Sequence, residues 1–333
     1  MKAAVIYKEK DIRVEHLPKP KVGSKEVLVR VKACGVCPSD LRFYTGDKKI
    51  EKPWILGHEV SGVVEEVGEE VSKVKPGDEV VVCTDIPCGK CEYCIEGRTN
   101  LCVNRAITDG GFSEFKLSDE NYLYKFSEVS FEEASFTEPL ACCLNGILRA
   151  NVTFGSKVAI LGAGPIGLLH LQLAKLRGAP QIFVFDPIDE RRDKALELGA
   201  DGAYKPESKQ LNSLIKKLTN GKGVDVVIVA VGSYEAVIQG LSIINKQGTL
   251  MLFAGIHPKK EVNLDLNFLH YNEITLTGSS DYPLHLFSKA LNLILTKRII
   301  VKPLISHILP LEKIKDGFEI ALKREGLKVI IKP

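Results

Sequence analysis

The spacing of apolar residues changes along this chain. Up to about residue 136 they come in short alternating runs such as Val27-Leu28-Val29-Arg30-Val31, cut by turns at Gly23, Gly46, Pro76-Gly77-Asp78 and Gly110-Gly111. Alternation with a period of two buries one face of a strand and leaves the other wet, so this stretch predicts a mainly antiparallel β unit with loops free to carry function. From about residue 155 the rhythm becomes strand-helix-strand. Lys157-Val158-Ala159-Ile160-Leu161 is the continuous apolar run of a strand buried on both faces of a parallel sheet, and Ile166, Leu169, Leu173 and Leu176 follow at helical spacing. Further strands are predicted at 182–186, 203–204, 224–230, 249–254 and 274–277, and helices at 189–198, 210–219 and 235–244. Six such strands make two mononucleotide-binding halves of a doubly wound α/β fold. The tail beyond about Pro283 carries one predicted helix and returns to alternation, so it is expected to pack back onto the first unit. The expected division is 1–141 with 285–333, and 142–284.

A glycine turn joins the first parallel strand to its helix. In Gly162-Ala163-Gly164-Pro165-Ile166-Gly167, Gly162 permits the tight turn, Gly164 lets a pyrophosphate approach the backbone, and Gly167 lets the helix pack on the strand. The phosphates then meet unpaired N–H groups at the helix N-terminus. Asp186 ends the second predicted strand, where a carboxylate accepts hydrogen bonds from ribose hydroxyls and repels a 2′-phosphate. Arg191 and Arg192 lie close by and are able to hold such a phosphate; with Asp186 present the reading is NAD rather than NADP. Pro165 and Ile166 at the helix start, and Val231 and Gly255 just past two later strands, complete the cofactor-binding candidates.

Cys88, Cys91, Cys94 and Cys102 supply four soft donors close enough in sequence to close one tetrahedral shell, which suits a structural zinc in a lobe spanning 83–105. An iron–sulfur cluster uses similar spacing, but no second cysteine motif accompanies it here. The chain holds nine cysteines in 333 residues, an odd number in a large chain, which fits reduced ligands better than a disulfide framework. The formal charge of +3 gives no basis for a nucleic-acid or anionic-membrane surface. No apolar run approaches the roughly 18–20 residues that span a bilayer. The first residues return to charge too soon for a signal peptide, so a cytoplasmic location is expected.

Other candidate ligands are scattered: Cys37, His58, Glu59 and Glu138. Taken singly, each has an ordinary explanation as a small buried thiol, a turn residue or a solvated carboxylate, and Cys34 with Cys37 has the spacing of a redox pair. Taken in order, Gly35-Val36-Cys37-Pro38-Ser39-Asp40, Gly57-His58-Glu59-Val60-Ser61-Gly62, the four-cysteine lobe, Glu138-Pro139-Leu140 and the glycine turn resemble the medium-chain zinc alcohol dehydrogenases over essentially the whole chain. The Glu-Pro-Leu segment resembles the sorbitol, polyol and threonine dehydrogenase branch. The resemblance implies a GroES-like, mainly β catalytic domain beside a Rossmann domain, with two zinc ions per chain. The catalytic zinc would be held by Cys37 and His58, with Glu138 bound directly or through water and Glu59 just behind as an exchangeable ligand. Cys142, one turn past Glu138, is an alternative donor. The resemblance also implies a homo-oligomer, dimer or tetramer.

By the same resemblance Ser39 is the hydroxyl that touches the substrate oxygen, although a Ser there is also able to cap a local turn. Many relatives carry a proton-relay His three residues later, where this chain has Arg42. A guanidinium cannot serve as base, so the proton is expected to pass from Ser39 through the nicotinamide ribose to water, leaving Arg42 to bind a phosphate, an acidic substrate group or a nearby carboxylate. In Ser306-His307-Ile308-Leu309-Pro310-Leu311, Ile308 occupies the place of an Arg common in polyol dehydrogenases, and His307 reads as structural. The expected substrate is a secondary alcohol with neighbouring hydroxyls, as in a polyol, ketose or sugar acid, its pocket shaped by loops around Tyr44, Trp54, Ile107 and 268–271. L-threonine is the alternative substrate, and a zinc- and nucleotide-binding sensor without activity is a further reading.

Overall fold

The computed structural model of the protein describes residues 1–206, 210–257 and 259–333. The chain divides into two compact units, Met1–Ala141 with Pro283–Pro333, and Cys142–Tyr282. In the first, the alternating run around Val27 becomes the strand Glu26–Gly35. It pairs antiparallel with Glu59–Val67 on one side, in a register that ends by setting Gly35 opposite Glu59. Elsewhere it meets Phe115–Asp119 and the chain's last strand, Lys328–Lys332, both antiparallel. Ile305–Pro310 joins that last strand in parallel, so the tail supplies two strands of a seven-stranded sheet.

The tail holds two helices rather than the single predicted one, His285–Leu295 and Ile314–Leu322. Gly317 lies inside the second, and a glycine there weakens the helical signal in the sequence. Its neighbour Phe318 is nonetheless a centre of the core, with its ring 5.4 Å from Tyr44 and 5.7 Å from Phe112. Tyr44 is therefore a core residue. It is 1 % exposed, and its hydroxyl donates to Glu319 Oε1 at 3.0 Å. Burial and that carboxylate push its pKa up to about 12.

The second unit is a six-stranded parallel sheet in the order Gly202–Tyr204, Gln181–Phe185, Lys157–Leu161, Val224–Val229, Ile244–Leu252, Thr275–Gly278. This is the doubly wound order, with the first strand central and the chain reversing direction beside it. The fifth strand starts at Ile244, directly after the helix Tyr234–Ile243, and not near 249. Its early residues, Asn245-Lys246-Gln247-Gly248, lack the apolar pattern of a strand, and the register with its neighbour shifts there.

His170, on the helix Pro165–Leu176, is fully buried, edge-on to Phe253 with ring centroids 4.8 Å apart. Neither ring nitrogen has a hydrogen-bond partner. Burial alone pushes its pKa down to about 3. An unfolded imidazole takes up a proton near pH 6.5, whereas the native one resists, so stability is intact above that pH and is lost as pH falls towards 3. Relative to His170→Leu, the native chain should lose about 2 kcal/mol between pH 7 and pH 5. Denaturant melts of both chains across that range check it, and parallel pH curves would refute it.

Candidate metal centre and dinucleotide turn

The helix Pro38–Tyr44 opens with Cys37 as its N-cap and Pro38 at its first position, where a fixed φ and a missing N–H cost nothing. Asp40, three residues on, accepts a hydrogen bond from the Cys37 backbone N–H at 3.0 Å. Its other oxygen lies 3.4 Å from His58 Nδ1. One buried carboxylate thus fixes a thiol-bearing turn and aims an imidazole, leaving His58 Nε2 facing inward, 3.4 Å from Ser39 Oγ. A carboxylate behind a ligating His is the usual orienting partner in metal sites. Burial works against the cationic form of His58, but Asp40 and Cys37 outweigh it and raise its pKa well above the ordinary value. A cation at Nε2 must compete with a proton.

Glu59 follows His58 on the adjoining strand and is 1 % exposed. Lys328, at the start of the last strand and 5 % exposed, places Nζ 2.5 Å from both of its oxygens. Only the bond to Oε1 is aligned; Oε2 is buried with no hydrogen bond. Burial lowers the pKa of Lys328, but Glu59, Cys37 and, more weakly, Glu138 overcome it, and the net shift is upward. Gly35 makes room for the pair, since a Cβ there would stand 1.9 Å from Glu59 Oε2.

Donor atoms of Cys37, His58 and Glu59 lie within 4.8 Å of one another. A thiolate, an imidazole held by a carboxylate, and a carboxylate oxygen lacking a hydrogen-bond partner form a donor set suited to zinc with an open position. Glu138, half-buried in the first turn of the helix Thr137–Arg149, lies outside that trio. Ser39 caps nothing: the cap is Cys37, and the seryl hydroxyl faces His58. Asp40 and Lys328 also belong to this centre, though neither stands out as a site residue in the sequence. The spacing of Asp40 from Cys37 was a legible helix-start signal, whereas Lys328, ahead of Val329-Ile330-Ile331, gave none.

The second set, Cys88, Cys91, Cys94 and Cys102, also converges within 4.8 Å. Cys91 Sγ and Cys94 Sγ are 3.5 Å apart, and the Cys88 backbone N–H donates to Cys102 Sγ at 3.3 Å. Four ligands on one tetrahedral zinc have sulfurs about 3.8 Å apart, so little movement is needed. Backbone N–H groups of Lys90 and Cys91 pull the Cys88 pKa down to about 6, while burial pushes Cys94 up to about 12. All four positions are protein donors, a set that suits a structural zinc.

In the second unit Gly162 has φ +105° and Gly164 is the N-cap of the helix that follows. A Cβ at Gly167 would stand 1.8 Å from the Gly162 carbonyl oxygen, so that helix packs on the turn only through glycine. Asp186, 4 % exposed, accepts from the Ala163 backbone N–H at 2.7 Å and from that of Ile188 at 3.0 Å. The carboxylate braces the glycine turn and keeps one lone pair on each oxygen for a further donor. Arg191 reaches to within 3.7 Å of where a Cβ on Gly164 would be, and Arg192 donates to the Asp186 carbonyl at 2.7 Å. Val231 borders the turn, 3.3 Å from the Cβ position of Gly162, and the Gly255 carbonyl packs on Gly232.

Residues 23–128 match the alcohol dehydrogenase GroES-like domain, and residues 165–296 match the zinc-binding dehydrogenase domain. Sorbitol dehydrogenase of Bacillus subtilis (strain 168) is 34 % identical over 345 residues, covering 100 % of this chain and 97 % of its own. This chain belongs to the zinc-dependent alcohol dehydrogenase family. L-threonine 3-dehydrogenase of Caldanaerobacter subterraneus subsp. tengcongensis is 35 % identical over 326 residues, covering 94 % of this chain and 93 % of its own. Among solved structures, a zinc-binding dehydrogenase of Sinorhizobium meliloti 1021 bound to NADP superposes with a TM-score of 0.94 at 31 % identity, covering 100 % of this chain and 99 % of that one. The GroES-like and Rossmann architecture of this dehydrogenase is thus shared along its full length. None of its described helices is long and apolar enough to cross a membrane.

Proposed function

We propose that this dehydrogenase uses NAD and zinc to oxidise a secondary alcohol flanked by further hydroxyls (a polyol, sugar or sugar acid) to a ketone. The observation that carries the reading is the convergence of Cys37, His58 and Glu59 donors within 4.8 Å beside the Ser39 hydroxyl. Bound there, zinc supplies a Lewis acid that lowers the pKa of the substrate hydroxyl, and nicotinamide supplies the hydride acceptor. Ser39 Oγ accepts the hydroxyl proton as it gives up its own, next to an imidazole whose orientation Asp40 fixes. A guanidinium cannot serve as base, so the proton released by Ser39 passes to water by a route that does not use Arg42. Asp186 supports NAD, because its free lone pairs suit ribose hydroxyls and its charge repels a 2′-phosphate.

Similarity to sorbitol dehydrogenase supports a polyol substrate. Similarity to L-threonine 3-dehydrogenase keeps that amino acid as the second reading, against which stands Arg42 in the relay position. A cytoplasmic, homo-oligomeric protein belongs to the same proposal. The reduced cysteine ligands support the location, and the exposed edge strand Thr275–Gly278 supports self-association. The test is zinc-loaded protein with NAD or NADP and a panel of polyols, sugar acids, L-threonine and simple alcohols, read by absorbance of the reduced cofactor. Turnover of a polyol or sugar acid with NAD is the expected result. Silence across the panel with two zinc ions bound would overturn the reading.

A further inference from the structure

Ser39 and Arg42 stand three residues apart on the helix Pro38–Tyr44, so their side chains share one face. Ser39 faces His58 Nε2, and that face therefore carries Arg42 alongside the metal centre. The Arg42 side chain is half-buried, and its Nε is buried with no hydrogen-bond partner. Among the described residues no carboxylate pairs with it. The acids nearest in sequence are engaged elsewhere: Asp40 with the Cys37 backbone and His58, Asp47 with the Thr45 hydroxyl. Glu59 is held by Lys328, the buried cation beside it.

A desolvated guanidinium N–H without a partner is costly, and a planar fork of donors matches the oxygens of a carboxylate or a phosphate. We propose that Arg42 binds an oxyanion group on the substrate, so that the preferred alcohol is an acidic one, a polyol bearing a carboxylate or a phosphate. The inference rests on the dehydrogenase reading for the word substrate, but the anion site itself does not depend on turnover.

Calorimetric titration of the zinc-loaded protein with D-glucitol, D-gluconate, D-glucitol 6-phosphate and ADP-ribose decides it, using native chain, Arg42→Ala and Arg42→Lys. The native chain should bind gluconate or glucitol phosphate at least tenfold more tightly than glucitol. Arg42→Ala should bring that ratio below threefold. Arg42→Lys, a point charge without the fork, should keep the preference for phosphate better than for carboxylate, and it serves as the folded comparison if the alanine variant proves unstable. No preference in the native chain, or a preference that survives in Arg42→Ala, overturns the proposal. So does a loss confined to ADP-ribose, which would assign the guanidinium to the cofactor. Reduced-cofactor absorbance in the same samples separates the two readings: turnover without anion preference sinks only this inference, and anion preference without turnover of any alcohol sinks only the dehydrogenase reading.

Discussion

Lys328→Met should destabilise the first unit by about 3–5 kcal/mol, the usual cost of removing one partner from a buried ion pair. Methionine fills a similar volume without the charge, and Glu59 is left deep in the sheet with Gly35 pressed against it. For a unit of this size the loss corresponds to a fall of roughly 10 °C in its thermal transition. Two comparisons separate the ion pair from mere packing. Lys328→Met with Glu59→Gln should recover much of the loss, because a neutral amide tolerates burial better than an unpaired charge. Zinc should also stabilise Lys328→Met more than it stabilises the native chain, because the metal then replaces the cation that Glu59 has lost. Melts of all three proteins, each with chelator and with zinc, give the answer. A single mutant within 1 kcal/mol of native in chelator would show that the pair holds nothing.

Asp40→Ala should weaken zinc binding by 10–100-fold, the range seen when the partner behind a ligating His is lost, with activity falling in step at limiting zinc. Asp40 serves both ligands, through the Cys37 backbone N–H and the ring of His58. Asp40→Asn divides those roles. An amide oxygen still accepts from the Cys37 N–H and preserves the helix start, but it brings no charge to His58, so its effect should lie between alanine and native. Competition against a chromophoric chelator measures each affinity. Zinc affinity within twofold of native in the alanine variant would mean that His58 is aimed by something else.

Much of the architecture was legible because periodicity reports burial directly. The run Lys157–Leu161 could only be a strand covered on both faces, and it became the central strand of the parallel sheet. The glycine turn was legible for a similar reason, since only glycine fits where a Cβ would meet a carbonyl oxygen at 1.8 Å. Cysteines, His58 and Ser39 announced themselves by residue type and order. What stayed hidden depended on distant pairing. Lys328 reads as an ordinary polar residue at a strand start until the last strand is laid antiparallel against Gly35 and Cys34. Tyr44 reads as a loop residue because the partner that buries it, Phe318, sits on a short glycine-containing helix late in the chain. The start of the fifth parallel strand is silent in the sequence because its first residues are held by pairing and not by an apolar pattern.

The union of Lys328 with Glu59 spans 269 positions of sequence. During synthesis, Cys37, His58 and Glu59 leave the ribosome long before the lysine exists, and the whole of the second unit must be made in between. Contacts of such long range form late and slow the folding that depends on them. Until the final strand docks, the early sheet lacks an edge partner and its buried glutamate lacks a counter-charge. A nascent chain that has not yet made Lys328 therefore holds every thiol and imidazole of the metal centre while Glu59 still waits for its counter-charge.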